Sequence, residues 1–239
     1  MQNRFYRDWT RNHGGVNFQV QIEETDLSIS ADSDIKDQAL DCVKKQRALL
    51  KEYIKKDSSF LISLEPVEIK PQAPLIIKEM IRAASIANVG PMAAVAGAMA
   101  EIVGRELRKL SENIIVENGG DIYIDTRDSS VVALYAGGSS ILGKIGLKLD
   151  QNIMPAGVCT SSATIGHSLN FGKADAVTIV SDSAAIADAL ATSISNRVKS
   201  SSDIGSVLKY AQDISDIRGL VIVAAGRIAF YGGIEIIKV

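Results

Sequence analysis

The stretch Glu117-Asn118-Gly119-Gly120-Asp121 lies between two short apolar segments, Ile114-Ile115-Val116 and Ile122-Tyr123-Ile124. Asn-Gly between apolar runs is the strongest short signal for a β-hairpin, so the pattern predicts two antiparallel strands joined by a tight turn. The same residues suit a ligand, because glycine lets backbone N–H groups approach an anion or a ring, and the flanking Asn and Asp offer hydrogen-bonding groups. From this stretch alone both interpretations remain open.

The sequence on either side of this hairpin continues as strands and helices. Apolar residues alternate with polar ones over residues 16–22 and 27–29, which predicts an antiparallel strand pair. They recur at helical spacing from Ser33, the expected N-cap, to about Lys56. The order of elements lacks a regular βαβ alternation, so we expect an α+β fold with antiparallel sheets and packed helices. Extended segments are predicted at 60–69, 131–135, 145–149, 176–180, 220–224, 228–231 and 234–237, the last three forming one turn-linked sheet. Helices are predicted at 75–88, 92–110, 183–198, with Ser183 as the N-cap, and 207–214.

The composition indicates a single aliphatic core. Of the 239 residues 46% are hydrophobic but only 5% are aromatic, so Ile, Val, Leu and Ala must supply most of the buried surface. We expect one domain over residues 1–239. Residues 1–15 are expected to form an arm that packs on the sheet or on a neighbouring subunit of a homo-oligomer.

Charge and segment length argue against two classes of partner. The formal net charge is −2, from 26 basic and 28 acidic residues, which gives no clustered positive surface for nucleic acid. The N-terminus shows no apolar signal segment, and no apolar stretch reaches the length of a membrane span. With only two cysteines, Cys42 and Cys159, the chain is expected to be a cytoplasmic protein that binds neither nucleic acid nor membrane.

Two further polar clusters could carry chemistry. In residues 159–168, Cys159 could be a thiol nucleophile with His167 as its base. The alternative is that Cys159 is a small buried hydrophobic residue, which is the more common role of a lone cysteine. Asp188 and Thr192 are four residues apart on a predicted helix, so their oxygens share one face and could ligate Mg²⁺. The alternative is that Asp188 caps or hydrogen-bonds locally in an alanine-rich helix.

The small apolar residues 89–94 precede another predicted helix. The free N–H groups at the start of that helix could face a ligand phosphate. Alternatively, Pro91 simply starts a core helix, because proline fits the first helical position.

The order of these motifs resembles the ApbE family of FAD-dependent FMN transferases. That family has an Asn-x-Gly-Gly-Asp loop, a Thr-Ser-Gly strand and an Ala-Asp-Ala-x-x-Thr helix start, and this chain has similar residues at 118–121, 160–162 and 187–192. Uncharacterised ApbE-like proteins resemble the chain over most of its length, including residues 89–97. The chain departs from the transferases after Ser162, where their His-x-x-Asp-Pro-x-Thr-Gly stretch is replaced by residues 166–173, Gly-His-Ser-Leu-Asn-Phe-Gly-Lys.

This resemblance implies a T-fold-like α+β domain that binds FAD together with Mg²⁺. By position, Asp188 and Thr192 would hold Mg²⁺ and His167 would be the catalytic residue. In the transferases the metal polarises the pyrophosphate while FMN passes to a threonine hydroxyl of an acceptor protein. The implied cofactor-binding residues are Asn118, Gly119, Gly120, Asp121, Thr160, Ser161 and Ser162.

Two functions therefore compete. The first is a Mg²⁺-dependent enzyme that acts at the pyrophosphate of FAD, either by transferring FMN to an acceptor protein or by cleaving FAD. The alternative is a non-catalytic module that binds a flavin, a pterin or a nucleotide. Either function requires the three polar clusters to share one cleft, and we expect ligand phosphates to lie toward the Gly119-Gly120 backbone. One carboxylate and one hydroxyl are few ligands for Mg²⁺, so we expect the cation to bind only with a phosphate ligand.

Overall fold

The computed structural model describes residues 15–134, 145–162 and 170–239. The described residues include eleven strands, in which successive side chains point to opposite faces of a sheet. The strands are β1 Val16–Ile22, β2 Thr25–Ala31, β3 Ile114–Asn118, β4 Asp121–Asp125, β5 Ser130–Ala133, β6 Ile145–Leu149, β7 Ala156–Ser161, β8 Ala176–Ser181, β9 Gly219–Ala224, β10 Arg227–Gly232 and β11 Glu235–Lys238.

Helices occupy the segments with apolar residues at helical spacing. Pro91 precedes one of them and forms the first turn of a short 3₁₀ segment, Pro91–Ala94. The α-helices are α1 Lys36–Lys56, α2 Ser59–Ile62, α3 Leu75–Ala87, α4 Val95–Leu107, α5 Ala184–Arg197 and α6 Ile204–Gln212.

The described residues form three layers. Eight strands make one sheet in the order β1-β2-β3-β4-β7-β8-β9-β10, and every neighbouring pair is antiparallel. The second sheet has the order β11-β6-β5 and is also antiparallel. Side chains such as Tyr123 and Cys159 pack toward the helices, whereas Ile124 and Val158 pack toward the small sheet. The large sheet is therefore covered on both faces, and the expected antiparallel α+β fold is confirmed.

Three local expectations are wrong. Residues 60–69 do not form a strand, because Ser59–Ile62 make one helical turn that buries Phe60 and leaves the following residues irregular. Ser33 does not cap α1, which starts at Lys36 after Ile35 and has no side-chain cap. β11 does not extend the sheet of β9 and β10, because its apolar residues pack between the two sheets and pair with β6.

Within the described residues, no single helix is both long enough and apolar enough to cross a membrane. In this described part of the chain, Leu75–Ala87 and Pro91–Leu107 reach that length and composition when taken together, and a bend of 105° separates them.

Candidate functional site

The β3–β4 hairpin forms one side of the candidate site. Gly119 and Gly120 both have positive φ values, 69° and 105°, and Asn118 pairs with Asp121, which is the backbone geometry of a two-residue hairpin turn. The Gly120 N–H donates to Glu117 Oε1 at 2.8 Å. The predicted turn is therefore present, and one of its two glycine amides is already used within the protein.

The turn directs two polar side chains toward the helices. Asn118 Nδ2 donates to the carbonyl oxygen of Ala96 at 3.1 Å, which links the hairpin to the first turn of α4. Asp121 is 9% exposed. Its side chain lies on the same face of the sheet as that of Asn118, because the two residues pair across the hairpin. The sheet register continues from Ile122 opposite Val158, so Asp121 lies beside Cys159 on β7.

Asp188 reaches this face from α5. Its Oδ2 accepts a hydrogen bond of 2.9 Å from the N–H of Gly97, which is in the first turn of α4. A carboxylate is stabilised there, because the first N–H groups of a helix have no partner within the helix. Asp188 thus satisfies the end of a neighbouring helix, so the N–H of Gly97 is not available to a ligand phosphate.

The two carboxyl groups affect each other electrostatically. Burial raises the pKa of Asp188 to about 7, while the backbone amides of Gly97 and Ala96 act in the opposite direction. Burial is also the main cause that raises the pKa of Asp121 well above its usual value, and the charge of Asp188 is the next. Among the described residues Asp121 Oδ1 has no hydrogen-bond partner. The site therefore holds one buried and one partly buried acidic group, and Oδ1 of the buried Asp121 is unpaired within the described part of the chain.

Cys159 lies beneath this pair and is fully buried. Its thiol donates to the carbonyl oxygen of Ala184 at 3.2 Å. Burial raises the pKa of the thiol well above its usual value, and the charges of Asp121 and Asp188 add to the shift. A neutral thiol is a poor nucleophile, so the interpretation as a small buried hydrophobe is favoured. His167 lies outside the described residues, and its catalytic role remains a prediction.

The serine and threonine cluster after Cys159 is divided between the two faces of the sheet. Thr160 Oγ1 lies 2.8 Å from Thr178 Oγ1 on β8, on the face opposite to Cys159, because side chains alternate along a strand. Ser161 returns to the helix side, where its Oγ accepts from Asn170 Nδ2 at 3.0 Å. Ser162 Oγ donates to the backbone oxygen of Asp175 at 2.7 Å. Of the three, Ser161 shares the face of Asp188.

Thr192 lies one turn after Asp188 on α5 and is 7% exposed. Helix α5 runs alongside β7 in the same direction. Cys159 contacts Ala184 at the start of the helix, and Asn170 joins Ser161 to Ser195 near the end of the helix.

The structure thus brings five of the predicted site residues to one side of the large sheet: Asn118, Asp121, Ser161, Asp188 and Thr192. Thr160 faces the other side.

Two groups of this site were not predicted as site residues. The amide of Gly97 lies three residues after the segment 89–94, whose helix start the sequence offers to a ligand phosphate, and its partner is Asp188. Asn170 lies in the stretch that differs from the transferases, yet its amide connects β7 to α5. Its position eight residues after Ser162 gave no sequence signal, since the connection depends on how the chain returns to the sheet.

The fold and site define a mixed α/β protein with antiparallel sheets and an acidic pair, Asp121 and Asp188, between a hairpin and two helices. The chain belongs to the family described as AbpE bacteria, whose model matches residues 7–226. A UPF0280 protein of Methanocaldococcus jannaschii is 41% identical over 226 residues, which cover 92% of each chain. A UPF0280 protein of Methanocella arvoryzae is 36% identical over 89% of this chain and 86% of its own.

Two solved structures share this fold at low sequence identity. The ApbE protein of Thermotoga maritima aligns with a TM-score of 0.60 and 13% identity over 92% of this chain and 96% of its own. The flavin transferase ApbE of Vibrio cholerae aligns with a TM-score of 0.56 and 14% identity over 91% and 96%. The resemblance to the ApbE family seen in the motifs is confirmed at the level of fold.

The acidic pair predicts an unusual pH dependence of the ligand-free protein. The pKa of Asp188 is raised in the folded state, so its contribution to stability is present below its ordinary value of 3.8 and is lost as pH rises through about 7. Asp121 acts with the same sign. We expect the melting temperature of the metal-free protein to fall as pH rises from 3.8 to about 7, and to fall less in the Asp188→Asn variant. Melting curves measured by circular dichroism at each pH test this. An equal dependence of melting temperature on pH in the wild-type protein and the variant would contradict it.

Proposed function

We propose that this protein binds FAD together with Mg²⁺ at the face formed by Asn118, Asp121, Ser161, Asp188 and Thr192. The observation that carries the proposal is the acidic pair of Asp121, which is buried, and Asp188, which is partly buried; Oδ1 of Asp121 has no partner among the described residues. Two neighbouring acidic groups that are largely removed from water are costly unless a cation or a proton neutralises them. Their oxygens are the ligand type that Mg²⁺ prefers. The names of two structural neighbours, flavin transferase and flavinyl transferase, indicate a flavin as the partner of the cation, and the resemblance of the motifs implies that this flavin is FAD.

Asp188 and Thr192 would hold the cation. Within residues 15–134, 145–162 and 170–239 no group of three or more His, Cys, Asp and Glu side chains could hold a metal by itself. A phosphate ligand is then needed to supply further oxygens, because Mg²⁺ demands six ligands and dehydrates reluctantly. Such a cation would supply Lewis-acid polarisation of the pyrophosphate.

The protein's own residues keep this place organised. Asn118 and Asp188 both bind the first turn of α4, the former at the oxygen of Ala96 and the latter at the N–H of Gly97. The hairpin, α4 and α5 are thereby joined without any ligand. This prearrangement reduces the entropy that a dinucleotide must lose to bind.

Titration calorimetry with FAD, FMN, ATP and NAD, each with Mg²⁺ or with a chelator, tests the proposed function. We expect FAD to bind and its affinity to fall when Mg²⁺ is removed, because the acidic pair repels the pyrophosphate without the cation. Absence of measurable binding by all four ligands would contradict the proposal and favour the interpretation of residues 118–121 as a turn alone.

Release of AMP separates the enzyme from the binding module. An enzyme that acts at the pyrophosphate should produce AMP from FAD and Mg²⁺, with FMN either free or bound to an acceptor protein. A binding module should retain intact FAD. Chromatography of the reaction mixture over time distinguishes the two.

A further inference from the structure

Phe171 stands out among the aromatic residues of the described chain because it is 55% exposed next to the candidate site. Tyr123 and Phe60 are by contrast buried in the core. One exposed phenylalanine needs no explanation by itself, since much of a protein surface is apolar. What distinguishes Phe171 is how firmly its backbone is held.

Both backbone polar groups of Phe171 bind side chains. Its N–H donates to Asn196 Oδ1 at 2.7 Å, and its carbonyl oxygen accepts from Lys199 Nζ at 2.6 Å. Both partners lie at or just beyond the end of α5. The ring is therefore presented to solvent from a backbone that is fixed on either side.

The preceding residue, Asn170, fixes the same loop to the site. Its Nδ2 donates to Ser161 Oγ at 3.0 Å and to Ser195 Oγ at 2.8 Å, and its Oδ1 accepts from the N–H of Gly172 at 2.7 Å. All hydrogen-bonding atoms of this amide are thus used. A loop that served only as a connection would not require this many side-chain contacts around an exposed ring.

Phe171 lies toward the end of α5 that is farther from the hairpin. Ser195 is seven positions after Asp188 on α5, which corresponds to about 10 Å at the helical rise. Asn170, the residue before Phe171, joins Ser195 to Ser161 on the same side of the sheet. Ser195 is fully buried, so a ligand with its phosphates near Asp188 would reach the exposed ring of Phe171 over the surface outside Ser195.

We infer that Phe171 is a stacking platform for a planar heteroaromatic ring of the ligand. The inference rests on the proposed function and assigns a residue that would bind one ring of the ligand. Aromatic side chains bind such rings through their faces, and the loss of one stacking partner weakens binding about 5- to 100-fold. The isoalloxazine ring and the adenine ring share this chemistry.

The test compares Phe171→Ala, Phe171→Leu and the wild-type protein by titration with FAD, FMN and ADP in the presence of Mg²⁺. We expect FAD affinity to fall about 5- to 100-fold in both variants, because leucine keeps apolar bulk but has no ring face. A parallel loss for FMN but not for ADP identifies the flavin ring, and the reverse identifies adenine. Phe230→Ala is the matched control, because Phe230 is 58% exposed on the distant edge strand β10.

A second variant gives a readout that a structural role would not change. Phe171→Trp should retain FAD affinity. If the flavin ring stacks there, this variant should also quench flavin fluorescence on binding, whereas Phe230→Trp should not. Unchanged affinity for FAD, FMN and ADP in Phe171→Ala would overturn the stacking role while leaving the proposed function intact. If the wild-type protein binds neither FAD nor the other two ligands, both fail together.

Discussion

Replacing Asp188 by asparagine is expected to abolish the Mg²⁺-dependent part of FAD affinity while the protein remains folded. The asparagine oxygen can still accept the N–H of Gly97, which Asp188 binds at 2.9 Å. The negative charge that a cation requires is lost, because an amide is a much weaker ligand for a hard cation than a carboxylate. Titrations with FAD in Mg²⁺ and in chelator should then give the same dissociation constant.

Asp182→Asn is the matched control for this experiment. Asp182 precedes α5, is exposed and pairs with Arg218, so its replacement should leave the Mg²⁺ dependence unchanged. If the Asp188→Asn variant instead keeps the full Mg²⁺ dependence, Asp188 serves only to bind α4. In that case the proposed cation site is wrong.

Asp188→Ala is a less specific change than Asp188→Asn. A polar residue near a cleft usually contributes little packing, which would let alanine spare the fold. The structure shows that it also removes the acceptor of the Gly97 N–H. An unpaired buried N–H costs about 1–3 kcal/mol, so the alanine variant should lose stability as well as cation binding.

Gly157→Ala is expected to produce the largest loss of stability in this region. A Cβ at Gly157 would lie 2.3 Å from the Cα and 2.4 Å from the N of Ala184. These are backbone atoms at the start of α5, so the clash can be relieved only by moving the helix away from β7. Overpacking of this kind costs on the order of 3 kcal/mol or more. Urea unfolding followed by circular dichroism measures it.

Gly205→Ala provides the opposite control. Gly205 lies in α6, and a Cβ there would meet no atom within 4 Å. Alanine has the higher helix propensity, so the free energy of unfolding of this variant should rise by about 0.5–1 kcal/mol.

A Gly157→Ala variant as stable as the wild-type protein would contradict the first prediction and would show that α5 can shift freely. The positions of Asp188 and Thr192 would then not be fixed by this contact.

The sequence predicted those features that depend on neighbouring residues. The Gly119-Gly120 turn has positive φ values, the strands around it have the predicted pairing, and Ser183 caps α5 as its position suggested. Short-range signals of this kind need only the local chain. The helix α3 likewise ends at Asn88 in a left-handed conformation before Gly90 and Pro91.

The remaining features depend on contacts between distant segments. The bond from Gly97 to Asp188 spans 91 residues, and nothing near either residue indicates it. The alternation of β7 decides which of Thr160 and Ser161 faces the helices, and this required the strand register. The pairing of β11 with β6 was missed for a similar reason, because its apolar residues fit either sheet.

The acidic pair has a consequence for how this protein would respond to laboratory evolution. Asparagine at positions 121 and 188 would keep a hydrogen-bond acceptor and remove the cost of holding two acidic groups largely away from water, and buried charges are often replaced by neutral groups with a gain in stability. A selection for heat resistance alone should therefore enrich such substitutions at these two positions. A selection that also requires ligand binding should retain both aspartates, which is the trade-off between stability and activity expected of a working site.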